Sequence, residues 1–443
     1  MLTRNTLLAL TTLATTLGTW FALPAKCLAA DTPTELRAEQ LAEHNTTAYT
    51  LPAEKLRQAI ALTRVRMIFE LGGTAWTFAQ LLLILSLGIA ARLGRLATRL
   101  TEFRFVQGFA FLFLLLALTS LLDLPLEIYG HHISLRYGLS IQSWPSWLGD
   151  LAKSFALEWL VGGLLLTILF RIIRRSPNRW WFWFWIPTVA LSILGVFLTP
   201  YVIDPLFNKF EPLANSDPAL VSRLEQVVSR SGISIPPERM FLMKASAKST
   251  ELNAYVTGFG ASKRVVVWDT TIAKSSPDEI DLIFGHELGH YALGHIATTV
   301  AFVSAMLLPL FWLGFHGVRI LLARFGPTWG IASQNDWAAA VVFALVLFTL
   351  SFLSDPVFNA FSRAHEHAAD VYGQEAVHGI VPDPQSVGRE SFQVLGETSL
   401  DDPTPHPFFE FWFGTHPPIR TRAAFAEFYN PWAPGAQPRY FSK

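Results

Sequence analysis

A single cysteine, Cys27, occurs in the 443 residues. No disulfide can close within the chain, and no cysteine-ligated zinc site can be built. Charge is also scarce: 15% of residues are Asp, Glu, Lys or Arg, against about 25% in an ordinary soluble globule. Positive and negative side chains number 34 each. That balance offers no bulk field for a polyanion to follow, so no nucleic acid is expected as a partner. Repeats and low-complexity tracts are absent. Hydrophobic residues take the vacated share, at 51%.

Those residues fall into long uncharged runs. Leu71 to Ala91, Phe105 to Leu122, Ser154 to Phe170 (broken by Glu158), Trp180 to Ile203, Tyr291 to Val318 and Trp337 to Ser354 follow one another. Each approaches the ~17–25 residues that a bilayer core demands of a helix. The fourth opens with the aromatic belt W-W-F-W-F-W, a composition suited to the membrane interface. An earlier run, Asn5 to Ala25, lies between Arg4 and Lys26 and is followed by Leu28-Ala29-Ala30. It fits a secretory signal peptide cleaved near Ala30, and its length fits an uncleaved first transmembrane helix. Residues 1–30 are thus expected as a signal peptide or first span, 31–203 as a membrane domain, and 204–443 as a water-exposed domain interrupted by the hairpin 291–354.

Loop charges orient the spans. Arg92, Arg95, Arg99 and Arg104 lie between the first and second. Arg171, Arg174, Arg175 and Arg179 lie between the third and fourth, and Arg319 and Arg324 between the fifth and sixth. The alternate loop, Asp123 to Lys153, carries only Arg136 and Lys153 as Lys or Arg. Cytoplasmic loops collect Lys and Arg, so the arginine loops are expected inside. Residues 204–290 and the region after Asp355 then face away from the cytoplasm.

The chemistry concentrates in Ser276 to His295. Ser276 is a natural N-cap, Pro277 suits the first helical position, and Glu279 completes a capping box. The helix so begun carries His286, Glu287 and His290 as H-E-x-x-H. Residues four apart share a helix face, so both imidazoles can point at one zinc ion, with Glu287 beside them as proton acceptor from a zinc-activated water. Gly285 and Gly289, poor helix formers, imply close packing against that helix. The water-exposed part reads as α+β. Pro218 to Arg230 is helical, and Arg239 to Lys244, Leu252 to Val256 and Arg264 to Trp268 are short strands. Phe361 to Asp370 offers a third ligand. Glu366 and Asp370 share a face, so one can bind the metal while the other orients a histidine. On spacing alone His365 and His367 stay open.

These motifs resemble the type I CAAX prenyl protease family of integral-membrane zinc metallopeptidases. The resemblance rests on H-E-L-G-H at 286–290, S-R-x-x-E-x-x-A-D at 362–370 and L-N-A-Y at 252–255. It extends to Leu124-Pro125-Leu126-Glu127, Gly138-Leu139-Ser140 and Pro205 to Phe210. It implies a mostly α fold: a helical barrel of six or seven transmembrane helices with a small α+β zincin-like domain, the first run being retained as a helix. It implies one Zn2+ per chain on His286, His290 and Glu366, with Asp370 supporting the ligands. It implies catalysis by Glu287 with His416, from Thr415-His416-Pro417, near the oxyanion. Asn253 and Ala254 are expected on an edge strand that binds substrate backbone, and Arg422 beside the substrate. Polypeptides and the lipid bilayer are the implied partners.

A signal-like start and a non-cytoplasmic catalytic face suit a bacterial inner membrane, which prenylated cytosolic proteins would not reach. Membrane-associated or misfolded polypeptides are therefore the expected substrates. The alternative is a non-catalytic membrane scaffold or conduit whose metal is structural. The topology is testable directly: a reporter active only outside the cytoplasm, fused after Lys443, is expected to be active. An inactive fusion, with a cytoplasmic reporter active in its place, would reverse the assignment.

Overall fold

The computed structural model describes residues 31–258 and 263–442. The expected signal peptide or first span, and Cys27, lie outside the described residues. A short helix, α1 (Pro33–His44), precedes the membrane helices. Its capping box is formed: Thr32 N donates to Glu35 Oε2 at 2.6 Å, and Glu35 N to Thr32 Oγ1 at 3.2 Å. Then come α2 (Ala53–Ser86), α3 (Ile89–Leu100), α4 (Arg104–Arg136), α5 (Trp144–Arg175) and α6 (Trp180–Leu198). The expected span Leu71 to Ala91 is thus the second half of α2 plus a break at Leu87-Gly88. A π-helical turn, Thr199–Ile203, and a short helix, Asp204–Phe207, continue α6 toward the first strand. The expected domain boundary at residue 204 falls inside that continuous helical stretch. Six helices among the described residues are long and apolar enough to cross a membrane.

The membrane helices are sealed at one end. The largest apolar cluster joins Ile84 and Leu85 of α2, Phe170 and Ile173 at the end of α5, and Trp180 at the start of α6. Trp337 to Val342, at the start of the last membrane helix, complete it. All sit beside the arginine-bearing loops. Between 6% and 39% of an apolar 18-residue window of each span is buried inside the protein.

The water-exposed part is built on four strands: β1 (Phe210–Pro212), β2 (Met240–Met243), β3 (Ala254–Thr257) and β4 (Arg264–Trp268). Their order is β1-β2-β4-β3, with β2 and β4 parallel and the other pairs antiparallel. The valine run of β4 is buried on both faces. Val265 and Val267 pack with Ile280, Phe284 and Leu288, and Val266 turns to Met243 and Ala245. This alternation is the two-residue period of a strand. Against the first face lie α7 (Pro218–Arg230) and α8 (Pro277–Ala292), the helix that carries H-E-x-x-H. The sheet is tied to the membrane helices by polar contacts. Buried Arg264 pairs with Asp204 at 2.9 Å, and Ile141 N donates to Lys248 O at 3.0 Å.

The motif helix does not run unbroken into the fifth span, as the hydrophobic run from Tyr291 suggested. It ends at Ala292, and α9 (His295–Trp329) starts afresh after Gly294 at φ 72°. That left-handed conformation is open to glycine without steric cost. The last membrane helix, α10 (Ala339–Ala376), is 38 residues long, about 57 Å at 1.5 Å per residue. It starts in the sealed end and finishes against α8. Three helices close the chain: α11 (Pro384–Ser399), α12 (Pro407–Phe413) and α13 (Ile419–Phe428).

Glycines set the distance between α8 and α10. A Cβ on Gly373 would stand 2.6 Å from His286 N, one on Gly285 3.1 Å from Gly373 O, and one on Gly289 3.0 Å from Tyr372 Cβ. Gly373→Ala should therefore force backbone apart and cost about 1–3 kcal/mol, the usual range for overpacking. Gly149→Ala, with open space at its Cβ, should leave stability unchanged or raise it. Thermal unfolding in detergent separates the two; equal melting temperatures would show that the glycine contact sets nothing.

Candidate active site

The capping box that opens α8 is present as its sequence requires. Ser276 N donates to Glu279 Oε2 at 2.6 Å, and Glu279 N to Ser276 Oγ at 3.3 Å. Two turns further on, His286 and His290 project from one face toward α10. Their Nε2 atoms are 3.1 Å apart. Each lies 3.4 Å from an oxygen of Glu366, which α10 presents from the opposite side. The other candidates on α10 point elsewhere. His365 stacks on His295, ring centroids 3.9 Å apart, and its Nε2 lies 3.3 Å from Thr298 Oγ1. His367 faces Glu39 of α1 at 3.4 Å.

The three donors fit a zinc ion. With Zn–N bonds of 2.0–2.1 Å, tetrahedral ligands stand about 3.3 Å from one another. The observed separations are close to that spacing: 3.1 Å between the two Nε2 atoms, 3.4 Å from His286 Nε2 to Glu366 Oε2, and 3.4 Å from His290 Nε2 to Glu366 Oε1. Tautomer chemistry agrees. His286 Nδ1 lies 2.8 Å from Asp370 Oδ1, so it carries a proton and its Nε2 presents a lone pair. That lone pair faces a second ring nitrogen and a carboxylate. Glu366 Oε2 is buried without a hydrogen-bond partner among the described residues. Converging acceptors of this kind repel one another unless a cation sits among them. The metal-free site attracts positive charge accordingly. Burial disfavours a charged His286, yet Asp370 and Glu366 prevail and raise its pKa to about 10.

Asp370 is itself held. Arg422 of α13 donates to it from Nε at 2.9 Å and from Nη2 at 2.7 Å, a two-point clamp. The same Nη2 stands 3.6 Å from Glu366 Oε2. The guanidinium lies over the Phe392 ring, 4.7 Å from its centroid. Arg422 is thus buried and paired, and it also borders the cavity in front of the histidines. Asp370 and Glu366 raise its pKa against the effect of burial.

Glu287 stands beside His286, with Oε1 4.0 Å from Nε2. Burial raises its carboxyl pKa, and the neighbouring His286 and His290 oppose the rise. His416 arrives from the loop before α13, its Nε2 3.3 Å from Glu366 Oε2 and more than half its side chain exposed. β3 is an edge strand beside this group. Asn253 spends its backbone inward: its N donates to Thr271 Oγ1 at 2.8 Å, and its O accepts from Trp268 N at 3.1 Å. Antiparallel pairing alternates, so the backbone groups of Ala254 turn to the open edge. The Asn253 residue, in turn, lines the cavity.

That cavity has a volume of about 530 Å³. His286, Glu287, Glu366 and His416 form one wall, and Thr63 and Arg66 of α2 stand in its boundary. Residues 31–66 read from sequence as merely polar and helix-prone. Nothing local in them signals contact with a site more than two hundred residues away. His295, at the start of the fifth span, also adjoins the group: its Nδ1 lies 2.9 Å from His290 Nδ1.

Comparison with known proteins identifies the family. Residues 36–209 match the family model described as CAAX prenyl protease N-terminal, five membrane helices, and residues 214–429 match peptidase family M48. The uncharacterized metalloprotease YhfN of Bacillus subtilis is 33% identical over 364 residues, covering 81% of this chain and 82% of its own. CAAX prenyl protease 1 of Saccharomyces cerevisiae is 28% identical over 340 residues, covering 71% of this chain and 74% of its own. The crystal structure of S. mikatae Ste24p superimposes with a TM-score of 0.73 at 23% identity, over 90% of this chain and 100% of that one. The chain belongs to peptidase family M48, and is a multi-pass membrane metalloprotease with the helical region of the CAAX prenyl proteases.

Proposed function

We propose that this protease hydrolyses internal peptide bonds of membrane-associated or misfolded polypeptides, using one zinc ion per chain held by His286, His290 and Glu366. The observation that carries the proposal is the convergence of two Nε2 atoms, 3.1 Å apart, on one carboxylate, His286 lying 3.4 Å from Glu366 Oε2 and His290 3.4 Å from Glu366 Oε1. When bound, the zinc would polarise the scissile carbonyl and lower the pKa of water to about 7. Three protein donors leave a coordination position open, which distinguishes a catalytic site from a closed structural one. That favours the enzyme over a scaffold with a structural metal.

The chain's own residues perform the remaining work. Glu287 accepts the proton of the attacking water and returns it to the leaving amine. Its raised pKa brings it nearer the range in which a carboxylate can do both. His416 reaches over the ligand carboxylate and donates to the developing oxyanion from Nε2. Asp370 accepts from His286 Nδ1, holding the ring with Nε2 forward, and Arg422 holds Asp370 in turn. The outward backbone of Ala254 pairs with an extended substrate as an added strand, while the Asn253 side chain borders the bound peptide. Arg422, at the cavity wall, lies within reach of the same peptide.

The helix carrying Glu366 rises directly from the membrane. A chain emerging from lipid meets the site without crossing bulk water. With the arginine loops inside, that site would open on the outer side of a bacterial inner membrane.

Two variants test the mechanism. Glu287→Gln should retain zinc at one equivalent and lose turnover by about 10²–10⁴-fold, the range of a general acid–base contribution. His416→Ala should lower kcat by about 10²–10³-fold, as loss of one oxyanion donor does, with KM little changed. Metal analysis of the purified proteins reads the zinc content, and initial rates on a peptide selected by mass spectrometry of an unbiased library read kcat and KM. Appreciable proteolysis by the Glu287→Gln protein would remove Glu287 from the role.

A further inference from the structure

The two histidine ligands are supported unequally. His286 gives its Nδ1 proton to a carboxylate, Asp370, which Arg422 clamps. The Nδ1 of His290 meets a third imidazole instead: His295 Nδ1, at 2.9 Å. Two ring nitrogens at that distance share one proton, so one ring donates and the other accepts. Were His295 the donor, the proton of neutral His290 would sit on Nε2, the atom that faces His286 and Glu366. His290 could then not serve as a ligand. Were His290 the donor, its Nε2 lone pair would be free for the metal and His295 would accept.

We propose that His295 is a positioning residue for the metal centre: it accepts the Nδ1 proton of His290 and so holds that ligand in the metal-binding tautomer and ring orientation. The inference rests on the zinc reading given above. Partners of this kind are normally carboxylates, backbone carbonyls or water; here a neutral ring takes their place.

Three features of the local structure serve this contact. The first is the break between α8 and α9. In an unbroken helix, residues five apart are turned by about 140° from one another, at 3.6 residues per turn. Gly294, at φ 72°, restarts the chain so that His295 faces back toward His290. The second is the stack on His365, with ring planes 3° apart and centroids 3.9 Å apart. His365 is fixed in turn through Thr298, whose hydroxyl lies 3.3 Å from its Nε2. The third is an unmet hydrogen bond. His295 is buried, and its Nε2 has no hydrogen-bond partner among the described residues. Accepting at Nδ1 leaves the proton of neutral His295 on that orphaned nitrogen. A buried polar group without a partner costs about 1–3 kcal/mol, so something other than packing selects histidine here. A leucine or phenylalanine would fill the space without that cost.

Two substitutions separate positioning from packing. His295→Asn retains an acceptor, because the amide oxygen falls near the former Nδ1, and loses the ring that stacks on His365. His295→Phe retains the stacked ring and loses the acceptor; His295→Leu repeats that loss with a different shape, should the phenylalanine protein not fold. Zinc affinity is measured with zinc ions against a competing chelator, on full-length protein in detergent. Thermal unfolding of the zinc-free proteins monitors the fold.

His295→Phe is expected to bind zinc about 10–100-fold more weakly than the wild type, the usual cost of removing a ligand's supporting partner. His295→Asn should bind tighter than His295→Phe by most of that factor, even if its zinc-free form melts lower. Equal affinities for the two, or tighter binding by the phenylalanine protein, would overturn the inference and leave His295 as packing. Failure of the wild type and of Glu287→Gln to bind zinc would instead overturn the metal site itself, and the inference with it.

Discussion

Two helices touch backbone to backbone where the chemistry is built. Gly285 and Gly289 on α8 meet Gly373, Ala369 and Tyr372 on α10, at distances that leave no room for a further Cβ. Three donors to one zinc ion would have to stand about 3.3 Å apart, and the candidate donors come from both helices. Side chains as short as glutamate and histidine cannot span a wider gap and still converge. The capping box at Ser276, the buried valines under α8 and the length of α10 all serve to bring these two surfaces together.

The charges follow from that contact. Asp370 and Glu366, one turn apart on α10, would repel each other if buried alone. His286 and Arg422 lie between and beside them, so each carboxylate has a cationic or proton-bearing neighbour. Breaking one partner of such a buried group costs far more than the pair contributes to stability. Arg422 therefore couples α13, and with it the loop bearing His416, to the metal ligands. The same arrangement places the site where a long apolar helix ends.

Much of this was legible in the residues themselves. Pro218–Arg230 and Arg264–Trp268 were readable from local rules, because a proline-led amphipathic run and a valine triplet each bury their own pattern. The six spans were readable from length and hydropathy, and H-E-x-x-H from one helix face. The third candidate ligand was not. His365, Glu366 and His367 are adjacent, and successive helical residues turn by about 100°, so only one can face the histidines; the phase depends on how α10 meets α8. The clamp of Arg422 on Asp370 spans 52 residues and leaves no periodic trace. The break after Ala292 was masked by the apolar run that crosses it. Gly294 was visible, yet a glycine among apolar residues signals a turn only once its φ is known.

The central claim is that two imidazoles and one carboxylate from two helices share a single ion and leave it open to solvent. Anomalous diffraction at the zinc absorption edge, on crystals of the purified protein, tests it most directly. We expect one peak per chain, about 2.0–2.2 Å from His286 Nε2, His290 Nε2 and a Glu366 oxygen, with no fourth protein ligand. A peak elsewhere, or a fourth side chain closing the coordination sphere, would contradict it.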